Sequence, residues 1–127
     1  MGATDSAEAK SVLVVEDEAL VRMLVVQALE EAGFYVREAA EAQRALELLR
    51  AHDNIRLMVT DVGLPGLNGR KLADQARAQR PEMKVLFMTG YADSSLIEGG
   101  LPDGFGLITK PFDLDDLAAR AHAMIEA

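Results

Sequence analysis

Three carboxylates, a hydroxyl and an amine follow short apolar segments along this 127-residue chain. Glu16 and Asp17 come directly after one such segment, and Asp61 ends another just before a Gly/Pro-rich turn. Thr89 and Lys110 stand at the ends of two later segments. Short apolar runs bounded by turn residues are typical of buried strands. The carboxyl ends of parallel strands share one edge of a sheet, so we expect these five side chains to converge on one crevice.

The residue types indicate metal-assisted phosphoryl chemistry. Carboxylates that lie close together repel one another, and a divalent cation relieves that repulsion. Oxygen ligands suit Mg²⁺, with Mn²⁺ as the alternative, better than Zn²⁺. Asp17 and Asp61 are the predicted direct ligands, and Glu16 would act through water. Lys110 and Thr89 suit phosphoryl oxygens, and the Asp61 carboxylate can be the nucleophile that forms an acyl phosphate.

The hydrophobic spacing predicts five strands that alternate with five helices. The strands are expected at 11–15, 34–39, 55–60, 84–89 and 105–109. The first helix is expected from Val21 to Ala32, with Gly33 ending it, and the second from Ala42 to Leu49. The third is expected from the N-cap Asn68 to Arg80. A fourth should follow Asp93 or Ser94, and a fifth should follow the N-cap Asp113. Short connections between buried strands favour right-handed βαβ units. The predicted fold class is α/β, a doubly wound five-stranded parallel sheet of the flavodoxin-like (βα)5 type, in a three-layer sandwich.

Composition limits the classes of function. The chain is long enough for one domain, predicted at 11–127 after a disordered lead-in at 1–10. The net charge of −8 speaks against direct binding of nucleic acid or an anionic membrane. The chain lacks cysteine, which fits a cytoplasmic location. His52 and His122 lack a partner pattern and are predicted to be surface residues.

Four sequence blocks resemble the signatures of response-regulator receiver domains, over about residues 11 to 126. The blocks are Val14-Val15-Glu16-Asp17-Glu18, Asp61-Val62-Gly63-Leu64-Pro65-Gly66-x-x-Gly69, Met88-Thr89-Gly90-Tyr91 and Lys110-Pro111-Phe112. The resemblance implies that Asp61 accepts a phosphoryl group from a phosphohistidine on a sensor histidine kinase or a histidine phosphotransfer protein. The other implied roles are an acidic metal-site pair at Glu16 and Asp17, a metal-binding backbone carbonyl at Gly63, a switch hydroxyl at Thr89, a phosphate contact at Lys110 and a cis bond before Pro111.

One position departs from the family pattern. Leu107 stands where the family usually has a switch aromatic, and Tyr91 is either a substitute for it or an ordinary loop tyrosine. The combination resembles a receiver subgroup with a Phe-x-Thr-Gly-Tyr block, found in hybrid kinases or as stand-alone regulators. The glycines between 99 and 106 form either a loose loop or an element that responds to phosphorylation. The output would be a changed binding face for a downstream protein, on a monomer or a weak phosphorylation-dependent dimer.

Two other classes of function remain as alternatives. A pseudo-receiver would bind partners without being phosphorylated, but no residue needed for the chemistry is missing here. A flavodoxin-like or phosphatase-like domain would need a phosphate-binding loop or an aspartate nucleophile after the first strand, and Asp17-Glu18-Ala19 supplies neither. The chain is therefore predicted to catalyse only its own phosphorylation and dephosphorylation.

Overall fold

The computed structural model describes residues 10–64, 66–90 and 101–126, and these build one five-stranded sheet. The strands are β1 (Ser11–Val15), β2 (Tyr35–Ala39), β3 (Ile55–Asp61), β4 (Lys84–Thr89) and β5 (Phe105–Thr109). Every pairing is parallel, and the spatial order is β2-β1-β3-β4-β5. The predicted doubly wound α/β fold is confirmed.

Helices cover both faces of this sheet. They are α1 (Ala19–Glu31), α2 (Ala42–Ala51), α3 (Gly69–Gln79) and α4 (Leu114–Glu126). The central strands are buried on both faces, and the side chains of β1 alternate between two cores. Leu13 and Val15 pack into the core under α2 and α3, whereas Val12 and Val14 pack into the core under α1 and α4. None of the helices that the structure describes is long and apolar enough to cross a membrane.

Three predicted helix-end residues are confirmed by their geometry, whereas α1 begins at Ala19 rather than Val21 and α2 ends at Ala51 rather than Leu49. Gly33 follows α1 with φ +99°, a conformation that favours glycine. The Asn68 side chain accepts a hydrogen bond from the Lys71 amide at 2.9 Å, and Asp113 accepts one from the Asp115 amide at 2.8 Å. Residues 1–9 of the lead-in predicted at 1–10, and the helix predicted after Asp93 or Ser94, lie outside the described residues; the Lys10 carbonyl accepts a hydrogen bond from the Tyr35 amide at 3.2 Å.

The solvent-facing side of α1 differs from the prediction. Leu24 belongs to the predicted buried stripe but is 41% exposed, whereas Val26 is buried. Leu20 and Met23 are 64% and 55% exposed. Leu24 lies at the flank of the stripe, where spacing alone does not separate a buried position from an exposed one. We call Leu20, Met23 and Leu24 the α1 patch.

The prediction for His122 is wrong. Its ring packs against Phe34, with ring centroids 4.4 Å apart, and its Nε2 atom lies 3.1 Å from the carbonyl oxygen of Ala32. The residue is half-buried, because α4 packs against the turn between α1 and β2. That contact joins segments 90 residues apart, and local spacing carries no signal for it.

Candidate functional site

The predicted site residues gather at the carboxyl edge of the sheet. Glu16 and Asp17 directly follow β1, Asp61 is the last residue of β3, and Thr89 is the last residue of β4. Lys110 directly follows β5. Because β1, β3, β4 and β5 are neighbours in that order, their ends form one continuous stretch of the edge.

Three carboxylates meet there. Glu16, Asp17 and Asp61 each offer an oxygen within 4.8 Å of the others. Glu16 is fully buried and Asp61 nearly so, whereas Asp17 is exposed. The Glu18 amide donates to Glu16 Oε2 at 3.0 Å, and the Gly63 amide donates to Asp61 Oδ1 at 3.0 Å. These two amides fix one oxygen of each buried carboxylate.

The other oxygen of Glu16 is poorly satisfied. Its Oε1 atom is buried without a hydrogen-bond partner and lies 3.8 Å from Lys110 Nζ. Burial raises the pKa of the Glu16 carboxyl to about 7; the Asp61 charge adds to this, while the Glu18 amide and Lys110 oppose it. A buried carboxylate oxygen that lacks a donor, in a set of oxygen ligands only, fits a hard divalent cation such as Mg²⁺.

Lys110 supplies the positive charge that the acidic cluster faces. Its Nζ donates to Asp61 Oδ2 at 3.2 Å. Its backbone amide donates to the Thr89 carbonyl at 2.7 Å, and the Lys110–Pro111 peptide bond is cis. The amine is therefore held between the ends of β4 and β5 and directed at the predicted acceptor.

The remaining predicted site residues make fewer contacts with the acidic cluster and Lys110. The Thr89 hydroxyl is buried and donates to the Gly90 carbonyl at 3.2 Å. Gly63 contacts Asp61 through its amide. Leu107 is half-buried in β5 opposite Phe87 and packs against the core under α2 and α3. Tyr91 lies outside the described residues.

Two residues at this edge escaped the sequence predictions of individual roles. The Gly69 amide donates to the Val62 carbonyl at 2.8 Å, and a Cβ at Gly69 would lie 2.1 Å from the Asp61 carbonyl oxygen. The Arg22 guanidinium donates to the Glu16 carbonyl at 2.9 Å. Gly69 belongs to a quoted block, but its role depends on a close backbone approach. Arg22 would have required knowledge of which carbonyl lies opposite α1.

An apolar cavity of about 420 Å³ adjoins the acidic cluster. It lies between α1 and the segment after β5, and the α1 patch residue Leu24 is in its wall. The other residues of the wall are Glu18, Val21, Val25, Lys110, Pro111, Phe112 and Leu114. Lys110, whose amine contacts Asp61, thus also lines an apolar cavity.

A five-stranded parallel sheet with an acidic cluster and a lysine at its carboxyl edge defines a class of doubly wound α/β domains with a candidate site at that edge. The comparisons with known proteins narrow this class. A family model described as "Response regulator receiver domain" matches residues 12–122. The chain belongs to the response regulator receiver domain family.

Individual relatives agree with that assignment. The chain is 37% identical to the sensor kinase CckA of Brucella abortus. The match covers 98% of this chain but only 13% of the length of CckA. It is 33% identical to the response regulator receiver protein CpdR of the same organism, over 93% of this chain and 98% of CpdR. The crystal structure of a response regulator receiver domain protein from Clostridium thermocellum superposes with a TM-score of 0.85, covering 91% of this chain and 94% of that one. At 24% identity, this last likeness bears on the fold alone.

Proposed function

We propose that this chain is a phosphoacceptor receiver domain of a two-component phosphorelay, with Asp61 as the acceptor. The observation that carries the proposal is the Asp61 carboxylate, buried at a strand end, with one oxygen on the Gly63 amide and the other on Lys110 Nζ. These contacts leave the carboxylate fixed in one orientation beside two further carboxylates. Family membership supports this role, since receiver domains are the acceptors of such relays.

The transfer step is a displacement at phosphorus. A carboxylate oxygen of Asp61 attacks the phosphoryl group of a phosphohistidine, and the P–N bond breaks with its electron pair left on the imidazole nitrogen, which takes up a proton from water. Lys110 stabilises the phosphoryl oxygens as a point charge, and the Thr89 hydroxyl donates to another oxygen after leaving the Gly90 carbonyl. Glu16, Asp17, Asp61 and the Gly63 carbonyl would hold Mg²⁺, which neutralises charge on the phosphoryl oxygens when bound.

The α1 patch supports a protein as the donor. Its exposed apolar side chains lie on the first turns of α1, next to the cavity whose wall includes Lys110. A donor that lays an apolar surface on Leu20 and Met23 would bring its phosphohistidine to the Asp61 crevice. We therefore propose a sensor histidine kinase or a histidine phosphotransfer protein as the partner.

The chain also fits the receiver subgroup with the Phe-x-Thr-Gly-Tyr block. Phe87 and Thr89 occupy the motif positions in β4, and the aliphatic Leu107 replaces the switch aromatic. The relatives leave two architectures open, because CckA is a much longer sensor kinase and CpdR is nearly the same length as this chain.

Phosphorylation by a small donor tests the acceptor. Incubation with acetyl phosphate and Mg²⁺ should add one phosphoryl group to the wild type, measured by intact-protein mass spectrometry. Asp61→Asn should abolish the adduct, and chelation of Mg²⁺ by EDTA should suppress it. Asp53→Asn, an exposed aspartate at the opposite edge of the sheet, is the matched control and should label normally. Equal labelling of Asp61→Asn would sink the proposal, and an unlabelled wild type would favour a pseudo-receiver.

A kinase that labels the wild type then tests the partner surface. Leu20→Glu and Met23→Glu should slow transfer from the phosphorylated kinase by about 10-fold or more, because they place charge in an apolar contact. Labelling by acetyl phosphate should stay at the wild-type rate. Tyr35→Glu, an exposed aromatic at the amino end of β2, should change neither rate. Equal slowing with both donors would show that the patch acts through folding rather than docking.

A further inference from the structure

We propose that Arg22 is a positioning residue for the metal site, holding the backbone that carries Glu16 and Asp17. The inference rests on the proposed function, since it concerns the same Mg²⁺ site. Arg22 lies on α1, and its side chain donates to the Glu16 carbonyl and to Glu38 rather than to the three carboxylate side chains of the cluster. Arg22 would affect the metal ligands indirectly, by holding the loop between β1 and α1 in place.

The contacts of Arg22 bracket Asp17 on both sides. Its guanidinium Nη1 donates to the Glu16 carbonyl at 2.9 Å, and its backbone amide donates to the Glu18 carbonyl at 2.9 Å. The side chain of Arg22 therefore fixes the peptide unit that joins Glu16 to Asp17, and its backbone amide fixes the peptide unit that joins Glu18 to Ala19 at the start of the helix. The Glu18 amide in turn donates to Glu16 Oε2, so the same loop also sets the orientation of the buried Glu16 carboxylate.

The carboxylate of Glu38 orients the Arg22 guanidinium. Glu38 Oε1 accepts from Arg22 Nε at 3.0 Å. Glu38 lies on β2 opposite Val14, and the adjacent Ala39 carbonyl accepts from the Glu16 amide at 3.1 Å. The planar fork of arginine can hold a carbonyl and a carboxylate in a fixed mutual geometry, which a lysine amine does not do. The loop is thus tied to β2 both directly and through Arg22.

The position of the positive charge matters for metal binding. Lys110 Nζ contacts Asp61 Oδ2 and lies near Glu16 Oε1, so it faces the oxygens that a cation would use. Arg22 instead donates to the backbone carbonyl of Glu16. It can therefore order the acidic pair and leave the carboxylate oxygens available. Residues that orient metal ligands in this way typically change metal affinity by about 10- to 100-fold when removed.

The competing interpretation is that Arg22 only joins α1 to β2. In that case its loss would lower stability without changing the Mg²⁺ concentration that the folded protein needs. Positioning predicts the opposite pattern: a higher half-saturating Mg²⁺ concentration, with the maximal rate largely restored when Mg²⁺ is saturating.

The test is a Mg²⁺ titration of phosphorylation by acetyl phosphate, at a temperature where every variant is folded by circular dichroism. Arg22→Ala should raise the half-saturating Mg²⁺ concentration about 10-fold. Glu38→Gln, which keeps the arginine but weakens its anchor, should raise it about threefold. Arg22→Lys should fall between Arg22→Ala and the wild type. The matched control is Arg44→Ala, which removes another helix-surface arginine paired with a glutamate, at 3.3 Å.

Each outcome supports the proposal or overturns it. Half-saturation within twofold of the wild type for both Arg22→Ala and Glu38→Gln overturns it, as does a loss of maximal rate that Mg²⁺ does not restore. If Arg22→Ala fails to fold, Glu38→Gln decides the question alone. A wild type that shows no Mg²⁺-dependent labelling overturns the proposed function instead, so the two failures are distinguishable.

Discussion

The polar groups at the two edges of the sheet differ in how well hydrogen bonds satisfy them. At the carboxyl edge, Glu16, Asp17 and Asp61 crowd together around Lys110, and a buried oxygen of Glu16 is left without a donor. At the amino edge, the Arg80 guanidinium donates to the carbonyls of three residues between the end of α2 and the start of β3. These are His52, Asp53 and Ile55. The carboxyl edge leaves a buried charged group short of donors, whereas at the amino edge Arg80 satisfies three carbonyls and the neutral Ser11 Oγ is buried without a partner.

This difference separates the regions that serve ligand binding from those that stabilise the fold. Buried charge without enough partners costs folding free energy, and a ligand that supplies the missing interaction recovers it. Buried backbone carbonyls satisfied by a cation contribute stability and leave nothing for a ligand to do. We therefore expect substitutions at the carboxyl edge to alter the response to Mg²⁺, and those at the amino edge to alter stability alone.

Gly69→Ala should have the largest effect. The added Cβ would lie 2.1 Å from the Asp61 carbonyl oxygen, a backbone atom that cannot turn away as a side chain would. We expect the free energy of unfolding to fall by about 3 kcal/mol, measured by urea denaturation, with the start of α3 displaced from Asp61. Phosphorylation by acetyl phosphate should be lost or greatly slowed even where the variant is folded.

Gly66→Ala is the matched control in the same loop. Gly66 has φ +73° and no atom within 4 Å of a built Cβ, so its replacement adds backbone strain without a contact. Its cost should be about 1 kcal/mol. Equal losses for the two variants would mean that backbone conformation, rather than the close approach to Asp61, explains the glycine at 69.

Arg80→Ala should come next and act only on stability. The variant leaves the carbonyls of His52 and Ile55 without their donor, which we expect to lower the free energy of unfolding by about 2 kcal/mol. The half-saturating Mg²⁺ concentration for phosphorylation should not change. Arg44→Ala, at an exposed ion pair, should lower stability by less than about 0.5 kcal/mol. A shift in Mg²⁺ half-saturation for Arg80→Ala would show that the two edges are coupled, and that the amino edge does not act on stability alone.

The sequence predicts the carboxyl edge far better than the amino edge, for a physical reason. Strand ends follow from local apolar runs, and parallel topology then brings Glu16, Asp61 and Lys110 together without any knowledge of packing. At the amino edge, Arg80 acts on a carbonyl 25 residues away in the chain. At the carboxyl edge, Arg22 also escaped prediction, because its anchor Glu38 is 16 residues away and its bond to the nearby Glu16 carbonyl depends on how α1 packs. Nothing near either arginine distinguishes it from an ordinary surface arginine. The predicted burial of Leu24 on α1 was wrong for a related reason, because Leu24 lies on the flank of the apolar stripe.

The smallest predicted effect is a change in stability on replacing Glu16, whose Oε1 atom is buried without a hydrogen-bond partner. Because the pKa of Glu16 is raised to about 7 in the folded protein, its ionised form is disfavoured by folding, so the stability of the metal-free protein should fall as pH rises from about 4.5 to 7. Glu16→Gln keeps an acceptor for the Glu18 amide and removes the charge, so in EDTA at pH 8 it should be about 1 kcal/mol more stable than the wild type, by thermal or urea unfolding.

At pH 4, where the wild-type carboxyl is mostly protonated in both states, this difference between Glu16→Gln and the wild type should become much smaller. Adding Mg²⁺ at pH 8 should stabilise the wild type more than the variant, because the ion interacts with the charge that the variant lacks. Glu47→Gln, at an exposed glutamate on α2, should show no such pH-dependent difference. If Glu16→Gln is instead less stable than the wild type in EDTA at pH 8, Lys110 already compensates the buried charge, and the carboxyl edge is not short of positive charge before a metal binds.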